Sequence, residues 1–252
     1  MKLRQIFYIN LTRKFMAYFA TLFVELVLSI LLLKFLDANK TWTVNLIISQ
    51  IFKANAITFF YVPIYLLLVS SQIHMDNCLI ILKYTHVEDW WKEKIKILLK
   101  DTLIYLLSIY TIPLIVTVML SSKYLKALSY KEFIFILEFL FIVLLLLVVY
   151  GTAYLIVLAI IKRAITAYIV GILVPFIDFV FIYIFKTVNF SGITLGMLIN
   201  FLMSYSLSLK KHLFLFGIYL SYFLLLFTFL NIVMTNTLKK IDIYRGDKKS
   251  EN

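Results

Sequence analysis

Charge is scarce in this chain, and so are the residues that staple or break a backbone. Only 15% of its 252 residues are charged, and it has six glycines, three prolines and one cysteine. The lone Cys78 excludes an intrachain disulfide framework and a thiolate metal cage built within one chain. The shortage of charge excludes an ordinary soluble globule, which needs polar side chains to cover its surface. Acids are the rarer sign, 13 against 25 Lys plus Arg, for a formal net charge of +12. What remains is 63% hydrophobic and 17% aromatic. The composition reads as an all-α polytopic membrane protein, whose positive excess suits anionic lipid headgroups rather than nucleic acid.

Six apolar runs are long enough for a hydrocarbon core of about 30 Å. They are Phe15 to Leu33, Ala54 to Ser71, Thr102 to Leu120, Phe133 to Ile161, Ala164 to Phe185, and Leu213 to Thr235. All 25 basic residues lie between or outside them. The first, third, fifth and seventh intervening segments hold 4, 5, 2 and 5 basic residues, and the others three each, so the bias is 16 against 9. The positive-inside rule therefore predicts both termini in the cytoplasm, with residues 236–252 as a cytoplasmic tail. A seventh run, Ile193 to Leu209, is rejected because it would level that count to 13 against 12. It fits an outer-leaflet helical hairpin opened by Asn189 to Gly192 and closed at Lys210-Lys211, or an amphipathic surface loop. The first run is followed by Lys34 with no small-x-small site, so it is expected to stay in the membrane. The wealth of Ile, Lys, Phe, Tyr and Asn fits an AT-rich bacterial genome and hence a bacterial cell membrane.

Residues 1–14 carry Leu3, Ile6, Phe7 and Leu11 at helical spacing among basic residues, as in a helix lying in the headgroup plane; they also fit the positive flank of a signal anchor. Between the second and third spans, Asp76 to Tyr84 forms a short helix whose Leu79 to Leu82 centre needs a partner surface. Thr85-His86-Val87-Glu88 reads as a capping box starting a second helix, which Trp90 and Trp91 would anchor at the membrane interface before it rises into the third span.

This loop pattern, with the N-terminal amphipathic helix, six spans and outer hairpin, resembles the permease subunit of type-2 ABC exporters over essentially the whole chain. The resemblance implies a dimer, with a separate cytoplasmic ATPase docking on the helix between spans two and three. Carried onto this sequence, that coupling region is Asp76, Leu79, Ile80, Lys83, Tyr84 and Glu88. ATP and Mg would sit on the partner, since the six glycines nowhere form a phosphate-cradling loop. No cofactor, metal or catalytic residue is expected in this chain. Gly192 and Gly196 form a G-x-x-x-G, read as turn residues of the hairpin rather than a dimerisation face.

Three acids interrupt the spans, and Glu25, Glu138 and Asp178 are candidates for a translocation path that contacts cationic cargo. An ionised, lipid-facing acid costs about 2.5–3.5 kcal/mol at mid-bilayer, so interior positions are expected. No basic residue within a span offers a partner, and neutral or interfacially hydrated acids are the plainer account, especially for Glu138. Pro63, Pro113 and Pro175 are expected to kink their spans, as hinges or as static packing features. His74, His86 and His212 read as loop residues without metal-ligand spacing, and Ser70-Ser71 lacks the context of an intramembrane protease. Small permeases of this shape resemble exporters of amphipathic peptides, including phenol-soluble-modulin and lantibiotic systems. The alternatives are ABC efflux of an antibiotic or lipid-linked glycan, a proton-coupled secondary transporter, and a structural or sensory scaffold.

Overall fold

The computed structural model describes residues 12, 14–24, 26–27, 52, 54–72, 86–121, 129–161, 163–184, 194–196, 198, 201 and 208–247. Among these the regular elements are helices, and no strand occurs. Helix α1 covers Lys14–Val24. Helix α2 is assembled from Ala54–Ala56, a π-helical turn at Ile57–Tyr61, and Val62–Ser70. Helices α3 (Val87–Ser121), α4 (Tyr130–Ile161), α5 (Ala164–Ile184) and α6 (Leu209–Asp247) follow.

Three stretches are long and apolar enough to cross a membrane: Tyr130–Ile161, Ala164–Phe181 and Leu209–Leu238. They coincide with the expected fourth, fifth and sixth spans. The second survives as the shorter apolar helix Ile57–Ser70, and of the first only Lys14–Val24 and two following residues are described. The third is the C-terminal part of α3, which runs unbroken from the Trp/Lys segment. At 1.5 Å per residue, its 35 residues extend about 52 Å, well beyond a hydrocarbon core of about 30 Å. Helix α6 likewise continues past Thr235 to Asp247, so the expected tail begins as helix.

Helix α4 is apolar on every side, the pattern of a helix enclosed by others. It packs against α2, α3, α5 and α6, burying Phe139, Ile142, Leu146, Tyr150, Tyr154 and Leu155. The outer helices instead expose broad apolar faces, with Ile165, Ile169 and Phe176 on α5 and Phe214, Leu225 and Phe229 on α6. Such faces suit lipid or another helix, and water would penalise them. Most hydroxyls need no distant partner. Thr102 bonds the carbonyl of Leu98, Thr152 that of Val148 and Thr228 that of Leu224, each one turn back in its own helix.

The prolines do not act alike. Pro63 has no N–H, and just before it the backbone widens into the π turn, where the Val62 N–H reaches Ile57 O. Neighbours then hold this segment: Tyr105 donates to Tyr61 O at 2.7 Å and Tyr168 to Pro63 O at 3.1 Å. Pro175 lies within α5 without ending it, and position 113 is likewise inside the continuous α3.

Helices α2 and α3 run antiparallel, with Tyr65 paired to Thr102 at 2.6 Å. This contact lies over Gly151 of α4, where an added Cβ would sit 2.5 Å from the Tyr65 hydroxyl and 2.7 Å from Leu98 Cδ1. Gly217 on α6 has nothing within 4 Å of that position. Alanine in a helix gains about 1 kcal/mol over glycine, whereas overpacking costs about 1–3 kcal/mol. Gly151→Ala is expected to lower the thermal midpoint of the purified protein, and Gly217→Ala to leave it unchanged or raise it. Equal midpoints would show that α4 is not closely packed at Gly151.

Candidate functional site

Two of the polar groups inside the bundle lie at either end of a short segment whose described residues are Thr194, Leu195, Gly196, Leu198 and Phe201, the last four helical. At its start stands Asp178 of α5, only 4% exposed. Its Oδ2 accepts from the Thr194 N–H at 2.9 Å, the Leu195 N–H at 2.6 Å and the Thr194 hydroxyl at 2.6 Å. Tyr150 of α4 adds a long contact at 3.5 Å, and its hydroxyl is 2.6 Å from that of Thr194. The carboxylate thus caps the turn as an N-cap acid would, although it comes from another helix. A cation arriving here would compete with donors already aimed at that oxygen. Gly196, expected at a turn of the hairpin, is helical and buried.

At the far end of the segment Phe201 meets α4 and α6. Its ring stacks on Phe135 with centroids 5.6 Å apart and planes 2° from parallel, and lies 4.8 Å from the imidazole of His212. His212 is not a loop residue: it is in the first turn of α6, its N–H bonded to Ser208 O at 3.0 Å. Its Nε2 is 2.6 Å from Glu138 Oε2, with the side chains 1% and 8% exposed. Two expectations therefore change. Glu138 is not hydrated at an interface, and a basic partner does lie within a span. The expected sixth span began one residue later, at Leu213, which left His212 in the loop, whereas the apolar helix starts at Leu209.

Helix α4 enters this region through a cap that the sequence reading passed over. Ser129 N–H and hydroxyl both donate to Glu132 Oε2, at 2.8 and 2.9 Å, and the Glu132 N–H reaches back to Ser129 Oγ at 3.3 Å. The signal was present as Ser129-Tyr130-Lys131-Glu132, an S-x-x-E capping box.

The opposite end of the bundle carries a third polar group. Lys14 of α1 contacts both carboxylate oxygens of Asp101 on α3, at 2.9 and 2.8 Å. Each residue immediately precedes an expected span, so two boundaries assigned separately meet in space. Further toward the start of α3, Trp90 and Trp91 are buried at 3% and 4% exposure, inside protein rather than at an exposed interface. Trp91 Nε1 donates to Asn231 Oδ1 of α6 at 3.0 Å, and the buried Lys94 amine lies 4.8 Å above the Trp90 ring.

Of the nine sequence-derived site residues, Asp178 and Glu138 lie near opposite ends of the 194–201 segment, and Glu88 lies in the first turn of α3. Glu25, Asp76, Leu79, Ile80, Lys83 and Tyr84 lie outside the described residues, as does Thr85 of the expected capping box. Among the described residues no group of three His, Cys, Asp or Glu side chains could hold a metal ion. The chemistry on offer is hydrogen bonding and proton exchange within an apolar bundle.

Asp178→Ala removes the acceptor of two backbone N–H groups, and hydrogen bonds to a charged acceptor contribute about 1.5–3 kcal/mol each. Amide exchange at Thr194 and Leu195 is expected to accelerate by at least about tenfold, which corresponds to about 1.4 kcal/mol. Unchanged exchange would show that the segment is held without the carboxylate.

Compared with known proteins, the chain matches no family model, no curated protein and no solved structure.

Proposed function

We propose that this chain is the membrane permease subunit of an ATP-driven exporter of the ABC type. It has six spans, with both termini in the cytoplasm of a bacterial cell, and works as a dimer with a separate ATPase. Amphipathic peptides are the preferred cargo class, to which a greasy, aromatic-rich interior with a few acids is suited. The observation that carries this reading is α3. One unbroken helix runs from the loop that would meet the ATPase through to Ser121, and Trp91 ties its foot to Asn231 of α6. A push on the loop would reach two helices together. Small displacements become larger changes where packed helices have alternative arrangements. In membranes an interhelical hydrogen bond contributes about 0.6 kcal/mol on average, enough to bias such an arrangement without freezing it.

A second reading, a proton-coupled transporter, is favoured by one observation. Glu138 and His212 form an ionisable pair inside the bundle, as proton relays require.

Copurification decides between them. If a gene beside this one encodes an ATPase, the two proteins are expected to isolate together and to export peptide only with hydrolysable ATP. Leu79→Asp with Ile80→Asp is expected to abolish association. Trp91→Phe keeps the ring but loses the donor, and is expected to retain association and hydrolysis while export per ATP falls. If no nucleotide-hydrolysing partner binds and transport instead follows a proton gradient, the second reading replaces the first.

A further inference from the structure

Glu138 and His212 form a buried ionisable contact between two helices. The exposed pairs Lys92–Asp89 and Lys96–Glu93 are one helical turn apart, and Lys14 of the Lys14–Asp101 pair keeps 30% of its side chain exposed. The Glu138–His212 contact joins two helices with neither side chain above 8% exposed. The two heteroatoms approach to 2.6 Å, close enough for a proton held by either to be shared with the other.

Proton counting then limits its states. With no titrating proton the pair has charge −1, and with two it has charge +1. With one it is neutral overall, whether the proton sits on nitrogen or on oxygen. An uncompensated charge in such a site costs several kcal/mol, so the one-proton state is favoured on both sides. Free Glu and His would instead titrate separately near about 4.3 and 6.5. Among the described residues, the other charged groups near this pair are Lys131 on α4 and the exposed Lys210 and Lys211 on α6. Glu132 is engaged in the Ser129 cap, and the described residues of the 194–201 segment bring no titratable group.

The segment does bring Phe201. The imidazole lies 4.8 Å from the Phe201 ring and 5.2 Å from Phe135, so its position and charge bear on the ring stack that seats Phe201. The start of the segment is held by Asp178, which involves no histidine, whereas Phe201 at its other end lies against His212 and Phe135.

We propose that Glu138 and His212 together form a proton-binding site that retains one proton across the neutral range, and that this proton holds the Phe201 end of the segment against α4 and α6. The inference depends on neither energy source for transport.

The test uses the full chain in lipid nanodiscs. With His74→Gln and His86→Gln leaving one histidine, ring-nitrogen NMR should show His212 unchanged from pH 5.5 to 8.5, and altered by Glu138→Gln. A ring that titrates with a midpoint near about 6.5, or that ignores Glu138→Gln, overturns the site. For the segment, Leu198→Cys in a Cys78→Ser background reports access to a buried position, read against Tyr130→Cys as an exposed reference. Glu138→Gln and His212→Gln each strand one ionisable partner and are expected to raise relative labelling by about tenfold. The double variant strands none and is expected to return toward wild type. Labelling unchanged in both single variants overturns the link to the segment. Should the variants fail to fold, the wild-type titration still decides the proton-binding claim.

Discussion

A carboxylate enclosed by apolar helices has no water to satisfy it, and much of this structure follows from how three of them are satisfied. Asp178 draws donors from a backbone turn, Glu138 draws an imidazole from a neighbouring helix, and Asp101 draws a lysine from α1. Each solution joins elements far apart in sequence. The Asp178 cap links α5 to the 194–201 segment, the Glu138–His212 pair links α4 to α6, and the Lys14–Asp101 pair links α1 to α3. Among apolar helices in lipid, dispersion discriminates weakly between partners, so a few polar contacts have a disproportionate effect on register.

The apolar packing supplies the other half of that specificity. Gly151 lets α2 and α3 approach α4 closely enough for Tyr65 and Thr102 to meet above it. The π turn before Pro63 belongs to the same arrangement, because Tyr105 donates to its Tyr61 carbonyl and Tyr168 to the carbonyl of Pro63 just beyond it, from two other helices. A tyrosine suits this task, with an apolar ring that packs and a hydroxyl that reaches. That gives physical content to an aromatic fraction which composition alone could assign only to packing and lipid contact.

The helical class and the last three long helices were legible because their apolar runs exceed what a soluble helix needs, and length is the most robust signal in a sequence. Residue partners were not. Periodicity can place Asp178 on a helix, but nothing local says that its oxygen meets the N–H groups of Thr194 and Leu195, sixteen and seventeen positions later. The burial of Trp90 and Trp91 was hidden for a similar reason, since an interfacial belt and a helix contact draw on the same residue type. Two features were readable and overlooked: the Ser129 to Glu132 capping box, and His212 as a base inside a span. The second omission mattered more, since it made Glu138 look unpartnered.

The same geography bears on how the two ends of α6 are coupled. The Trp91–Asn231 contact and the Glu138–His212 pair are both α6 contacts, made at positions nineteen residues apart, or about 28 Å along the helix axis. One continuous helix connects them, so a rigid-body shift of α6 at its Trp91 contact would change the distance on which the buried pair depends. The reverse also holds, because coupling between two equilibria is reciprocal. The one proton that the pair retains would therefore bear on the arrangement to which α6 returns throughout the neutral range. On this view the ion pair need not supply energy to matter; it biases which packing of α4, α6 and the 194–201 segment the bundle returns to.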